Sequence, residues 1–112
     1  KNWSGKITCQ SDEWQRQDRH KFNNSPSRQV KNNTNKIRRL LEAQSSLRNH
    51  GVWIEGIVVF TNHNIELQLN KPTVTILRLP ELPDHIINYK NFNPYTTRQL
   101  ELIIKIITDK TR

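Results

Sequence analysis

Residues 52–60 read VWIEGIVVF, a short apolar run rich in β-branched side chains, opened by Gly51 and closed by the polar stretch TNHN at 61–64. A run of this length without polar alternation has the profile of a strand buried on both faces, as in parallel sheets covered by helices. Such a strand needs a neighbour on each side. TVTILRL, 73–79, follows the turn signal NKP and alternates with β-branched residues, so it is expected to be a second core strand. IELQL, 65–69, fits a short strand or an extended loop.

Working outward, the segment 23–51, NNSPSRQVKNNTNKIRRLLEAQSSLRNHG, carries helix punctuation. Ser25 is placed to cap the helix, Pro26 suits a first helical position where its missing N–H costs nothing, and Gly51 closes the segment. Val30, Thr34, Ile37, Leu41 and Gln44 fall on one stripe, with Leu40 and Leu47 on its shoulder, so one amphipathic helix is expected there. At the start, KITC (6–9) and WQRQ (14–17) flank QSDE and read as a hairpin. Near the end, PELPDHIINY predicts a short helix entered through prolines. Thr96 with Gln99 three residues later is a capping box for a last helix through LELIIKIITD. Its apolar residues wrap most of the circumference, which predicts packing against the sheet. The fold class is α/β, a mixed sheet with flanking helices. Two core strands and a core helix want a wider sheet than 112 residues supply, so the chain reads as the C-terminal portion of a single domain.

The charge is uneven. Of a formal net charge of +8, residues 1–50 contribute eleven Lys and Arg against four Asp and Glu, and residues 51–112 contribute seven against six. A basic half of this kind favours a polyanion, nucleic acid ahead of an acidic membrane surface, because neutralised phosphates release condensed counterions. Nothing approaches the roughly 20 uninterrupted apolar residues of a membrane helix. Cys9 stands alone, which excludes an internal disulfide and a Cys-based zinc site and gives no sign of an oxidising compartment; a cytoplasmic location is expected. His20, His50, His63 and His85 show no metal-binding spacing and are expected in loops or at the surface. The chain has no glycine-rich phosphate loop and no nucleophile elbow. Asp12 and Glu13 form the only adjacent carboxylate pair, in the hairpin turn, where turn chemistry accounts for them.

The ordered series KNWSGKI (1–7), DEWQRQ (12–17), NSPSRQ (24–29), GIVVFTN (56–62) and VTILRLPELPDHI (74–86) resembles the nuclease-related domain (NERD) family of the PD-(D/E)xK nuclease superfamily. In that family a strand ends in Glu-x-Lys, commonly followed by Asn, an aromatic and a Ser-Gly turn, and a later helix starts Asn-Pro-x-x-Gln. Here Ser25 replaces the Asn before the proline. The resemblance implies a partial restriction-endonuclease-like core and makes Lys1 the lysine of the motif. Its glutamate and the preceding acidic strand would then lie ahead of Lys1. No Asp or Glu stands two residues before a lysine in this sequence, so the motif cannot be completed internally.

Under that resemblance the complete domain cleaves DNA phosphodiesters with Mg²⁺, a hard ion that takes oxygen ligands and activates water. Metal ligands are expected to be absent from these residues, with no cofactor bound and no activity from them alone. Lys1 and Gln29 are the candidate catalytic residues, Gln29 from the core–solvent boundary of its helix. Arg16, Arg19, Lys21, Arg28, Lys31, Lys36, Arg38 and Arg39 are the candidate phosphate contacts, which position without reading sequence. DNA is favoured over RNA. Trp3 and Trp14 could stack on bases, but packing in the hairpin is the stronger reading. Strand edges left unpaired can join copies, so a homodimer is a candidate assembly. The rival reading is a non-catalytic basic module for nucleic-acid binding or assembly.

Overall fold

The structure, a computed structural model, describes residues 1–16, 25–90 and 94–111. In chain order it holds β1 (Gly5–Gln10), β2 (Glu13–Arg16), α1 (Pro26–Glu42), α2 (Ser45–His50), β3 (Ile57–Phe60), β4 (Ile65–Asn70) and β5 (Thr75–Arg78). A 3₁₀ turn (Leu79–Glu81), α3 (Leu82–Ile87) and α4 (Thr97–Thr111) complete it. The class is α/β with a mixed sheet, as the sequence predicts.

The mixed sheet has the order β2-β1-β4, and β3 and β5 form a second, parallel pair. β1 and β2 are the expected hairpin, with Gln10 opposite Glu13 across a two-residue turn at Ser11 and Asp12. IELQL resolves as a strand, because β4 runs parallel to β1 from Gly5–Ile65 to Gln10–Asn70. β3 and β5 are parallel from Ile57–Thr75 to Phe60–Arg78, so both runs form strands, but β3 takes only the end of 52–60, its residues alternate between buried and half-buried rather than being buried on both faces, and β5 is half-buried throughout.

The second neighbour that β3 requires comes from the start of the chain. Lys1 N donates to Val59 O at 2.7 Å, and Thr61 N donates to the Lys1 carbonyl at 2.8 Å, which sets Lys1 beside Phe60 in parallel register. The same extended segment then runs along β4, with Gly5 N donating to Asn64 O at 2.8 Å. Residues 2–4 and 61–64 lie outside the strands and link the two pairings. Gly5, at φ 80°, opens β1 in the left-handed region that glycine tolerates.

Contacts divide the chain into two units, 1–32 with 55–89 and 33–54 with 90–112. The core of the first is Ile7, Cys9, Trp14, Val58, Phe60 and Ile65, with Trp3, Val30, Leu67, Val74 and Ile76 packed against it. Strand alternation explains the selection: Ile7, Cys9 and Trp14 share one face, while Thr8, Gln10 and Gln15 take the other. In the second unit Leu41 and Leu47 are buried.

Two expectations about helices change. The helix after Pro26 does not reach Gly51. It stops at Glu42, Gln44 turns extended at φ −89° and ψ 120°, and a separate α2 starts at Ser45. Arg48 Nη1 donates to the Glu42 carbonyl at 3.3 Å, satisfying an oxygen that a continuous helix would have bonded internally. The cap at Ser25 stands, its Oγ accepting from Arg28 N at 3.3 Å. The second change concerns α4. Its capping box forms, with Thr96 N donating to Gln99 Oε1 at 2.8 Å and Gln99 N to Thr96 Oγ1 at 3.1 Å. Yet Leu100, Ile104 and Ile107 are 46, 63 and 38 % exposed, so the helix is not enclosed as its apolar circumference predicts. It belongs to the unit that contains no strand among the described residues, and a lone helical stripe cannot be covered on all sides. No helix among the described residues is long and apolar enough to cross a membrane.

Candidate nucleic-acid interface

The hairpin turn and the start of α1 are joined by one carboxylate. Asp12 Oδ1 accepts from Ser27 Oγ at 2.6 Å and Thr73 Oγ1 at 2.5 Å, and Oδ2 accepts from Lys31 Nζ at 2.6 Å. Trp14 Nε1 donates to Ser27 Oγ at 3.0 Å, so the fully buried serine relays between indole and carboxylate. Burial alone would raise the Asp12 pKa, but the hydrogen bonds from Lys31, Ser27 and Thr73, with the lysine's charge, hold it at about 2. Beside it Arg28 pairs with Glu13 at 3.2 Å, across exposed side chains. Turn chemistry alone understates Asp12, which ties β1–β2, α1 and the loop before β5 together.

Two of the candidate phosphate contacts, Arg28 and Lys31, therefore already face carboxylates. Lys36, Arg38 and Arg39 are exposed on the later turns of α1, in the second unit, where Arg38 Nη2 also donates to Asn35 Oδ1. Arg19 and Lys21 lie outside the described residues. Gln29 is exposed rather than at the core boundary, since the buried side of this turn is taken by Pro26 and Ser27 with Val30 behind them. No hydrogen bond links Gln29 to Lys1 among the described residues.

Lys1 and Arg16 each lie against Trp3. Lys1 Nζ lies 5.6 Å from the centre of the Trp3 ring, and the Arg16 guanidinium carbon 5.5 Å from the same ring. Arg16 gets there through the two-residue period: it stands opposite Ile7, on the core-facing side of β2 with Trp14, at the rim. Trp3 is held by Trp14 and Phe60, with ring centres at 6.4 and 6.0 Å. Packing is thus the role of both indoles, and each cation gains about 0.5–1 kcal/mol from such a ring. The sequence signal was the Trp14–Arg16 spacing, which places a cation on an apolar face.

A cavity of about 580 Å³ opens on the other side of the mixed sheet, lined by Thr8, Gln10, Glu13, Gln15, Gln68 and Asn70 among others. It contains no lysine or arginine, so a phosphate backbone gains nothing there. Elsewhere Glu55 Oε1 accepts from Thr75 Oγ1 at 2.7 Å and lies 2.8 Å from His85 Nε2, giving that histidine a structural tie that spacing did not reveal. His50 stacks on Tyr95, with centres 4.7 Å apart. Among the described residues no three His, Cys, Asp or Glu side chains gather around a point that could hold a metal.

Residues 1–61 match the sequence profile of the nuclease-related domain family. The matched span includes the hairpin, α1 and β3, and ends before the resemblance seen in VTILRLPELPDHI. No curated protein and no solved structure matches the chain.

Proposed function

The chain belongs to the nuclease-related domain family, and from that premise we propose that it serves nucleic-acid phosphodiester processing, of DNA in preference to RNA. The observation carrying this reading is Lys1, at the start of the matched span, anchored through its main chain beside Phe60 with its ammonium 5.6 Å from the Trp3 ring centre. A lysine fixed on a strand can orient a nucleophilic water or offset charge on a phosphoryl group. A PD-(D/E)xK placement would have acidic residues of that motif hold Mg²⁺ beside the lysine. Gln29 acts as a supporting polar group on the first turn of α1; Lys36, Arg38 and Arg39, exposed on its later turns, contact phosphates without sequence preference.

Two measurements test it. A labelled DNA duplex is bound at low salt, and with about six phosphates neutralised its affinity falls by about 10³ between 50 and 200 mM salt. Under Mg²⁺, a longer chain that supplies the expected Glu-x pair before Lys1 cuts the duplex, and its Lys1→Ala variant does not. Salt-dependent binding with no cutting by that longer chain favours the rival, a basic binding module without catalysis. Absence of binding at low salt removes both readings.

A further inference from the structure

We infer that the outer edge of β4 is a self-association surface, pairing antiparallel with β4 of a second copy about a two-fold axis at Gln68. The phase of the ladder exposes this edge. Gly5 N donates to Asn64 O at 2.8 Å and Ser11 N to Asn70 O at 2.9 Å, so within the parallel register it is residues 66, 68 and 70 that bond to β1. The N–H and C=O groups of Ile65, Leu67 and Leu69 therefore point away from β1. β4 ends the sheet order on that side. The Ile65 carbonyl is taken there by Arg78 Nη1 at 2.8 Å, whereas the ladder groups of Leu67 and Leu69 have no partner on it among the described residues.

Unpaired ladder groups at an edge are a template for another strand, and natural edges are blunted by Lys, Pro or a charge turned inward. β4 carries neither Lys nor Pro in its six residues, and Lys71 and Pro72 come only after it. A second copy fits what is left. Pairing centred on Gln68 sets Leu67 opposite Leu69 of the second copy on both sides of the axis, each pair exchanging both N–H···O bonds and leaving the Arg78–Ile65 bond intact. Gln68 then meets its own counterpart, amide to amide, and Glu66 meets Asn70, so no like charges are opposed. Leu69, 40 % exposed, gains apolar cover. A register centred on Leu67 would need the Ile65 carbonyl that Arg78 holds, and one centred on Glu66 would oppose two carboxylates. Thr8 stands opposite both Gln15 and Gln68, so the joined sheet continues this uncharged polar row from one copy into the other.

Sedimentation equilibrium of the full chain tests this from micromolar to millimolar protein, at about 0.3 M salt to screen the repulsion between two chains of net charge +8. The wild type is expected to populate monomer and dimer. Gln68→Lys and Gln68→Glu each place like charges across the axis and are expected to weaken the dimer at least about fivefold. An equimolar mixture of the two sets Lys against Glu and restores it. Gln68 is exposed, so thermal melts of both variants at low protein concentration should match the wild type. Leu69→Pro removes an edge N–H while sparing the bonds to β1, and is expected to be monomeric. A wild type that stays monomeric throughout overturns the second copy as the occupant of this edge. A dimer indifferent to all three variants overturns the edge as its interface. A dimer tightened by Gln68→Lys overturns the register, since that requires a shifted pairing with Gln68 opposite Glu66.

Discussion

Asp12 and Lys31 form a 2.6 Å ion pair whose carboxylate also accepts from Ser27 and Thr73, so a two-residue turn fixes the start of a helix. The carboxylate side chain is only 18 % exposed, and three donors converge on it. This contact holds elements that the sequence places 19 and 61 residues apart from Asp12.

The pH dependence follows from its sign. The Asp12 pKa is lowered from 3.8 unfolded to about 2 folded. Its contribution to stability is therefore complete above pH 3.8 and is lost as pH falls through about 2. The amount is about 2 kcal/mol. In urea titrations between pH 6 and 2, the wild type should lose this much more than Asp12→Asn. Parallel curves for the two proteins would show that the carboxylate is not stabilised by folding.

Ser27→Ala removes one donor to Asp12 and the acceptor of the Trp14 indole in a fully buried position. A buried donor left without a partner costs about 1–3 kcal/mol. Chemical denaturation should show a loss in that range. A loss under about 0.5 kcal/mol would mean that water replaces the hydroxyl.

Gly5→Ala tests the left-handed bend at the start of β1. Nothing lies within 4 Å of the added Cβ, so the cost is conformational alone, set by φ 80°. About 1–2 kcal/mol is expected. Thermal melts of the variant should shift down without loss of cooperativity, and an unchanged melting temperature would place the bend elsewhere.

Gln99→Ala opens the reciprocal cap of α4, leaving Thr96 N without its side-chain acceptor. The first turn should lose about 1 kcal/mol. Amide hydrogen exchange reads this locally, as faster exchange at residues 97–100 with the β1 and β4 amides unaffected. Equal acceleration in the sheet would contradict the division into two units.

Much of the fold was legible because local patterns encode it. The period of two in KITC and EWQR, the β-branched run in IVVF, the Ser25–Pro26 start and the Thr96–Gln99 box each specify an element from neighbours in sequence. The break at Gln44 was not legible, since the apolar stripe continues through it, and the Arg48 bond that satisfies the broken end comes from six residues on. Apolar content likewise marked α4 as a helix but could not supply a surface to enclose it.

The site divides in the same way. Residue types and their order determined, without any coordinates, that residues 1–61 follow the pattern of the nuclease-related domain family and that the first half of the chain carries the excess of positive charge. Only the tertiary structure decided what each of those cations faces. Arg28 and Lys31 face carboxylates of the hairpin turn, whereas Lys1 and Arg16 each reach the Trp3 ring, because residue 1 is set beside residue 60 and β2 folds back antiparallel onto β1. Charge and periodicity are properties of the chain read locally. Partnership depends on strand register between distant segments, and that is fixed by burial of Ile7, Trp14 and Phe60 in one core.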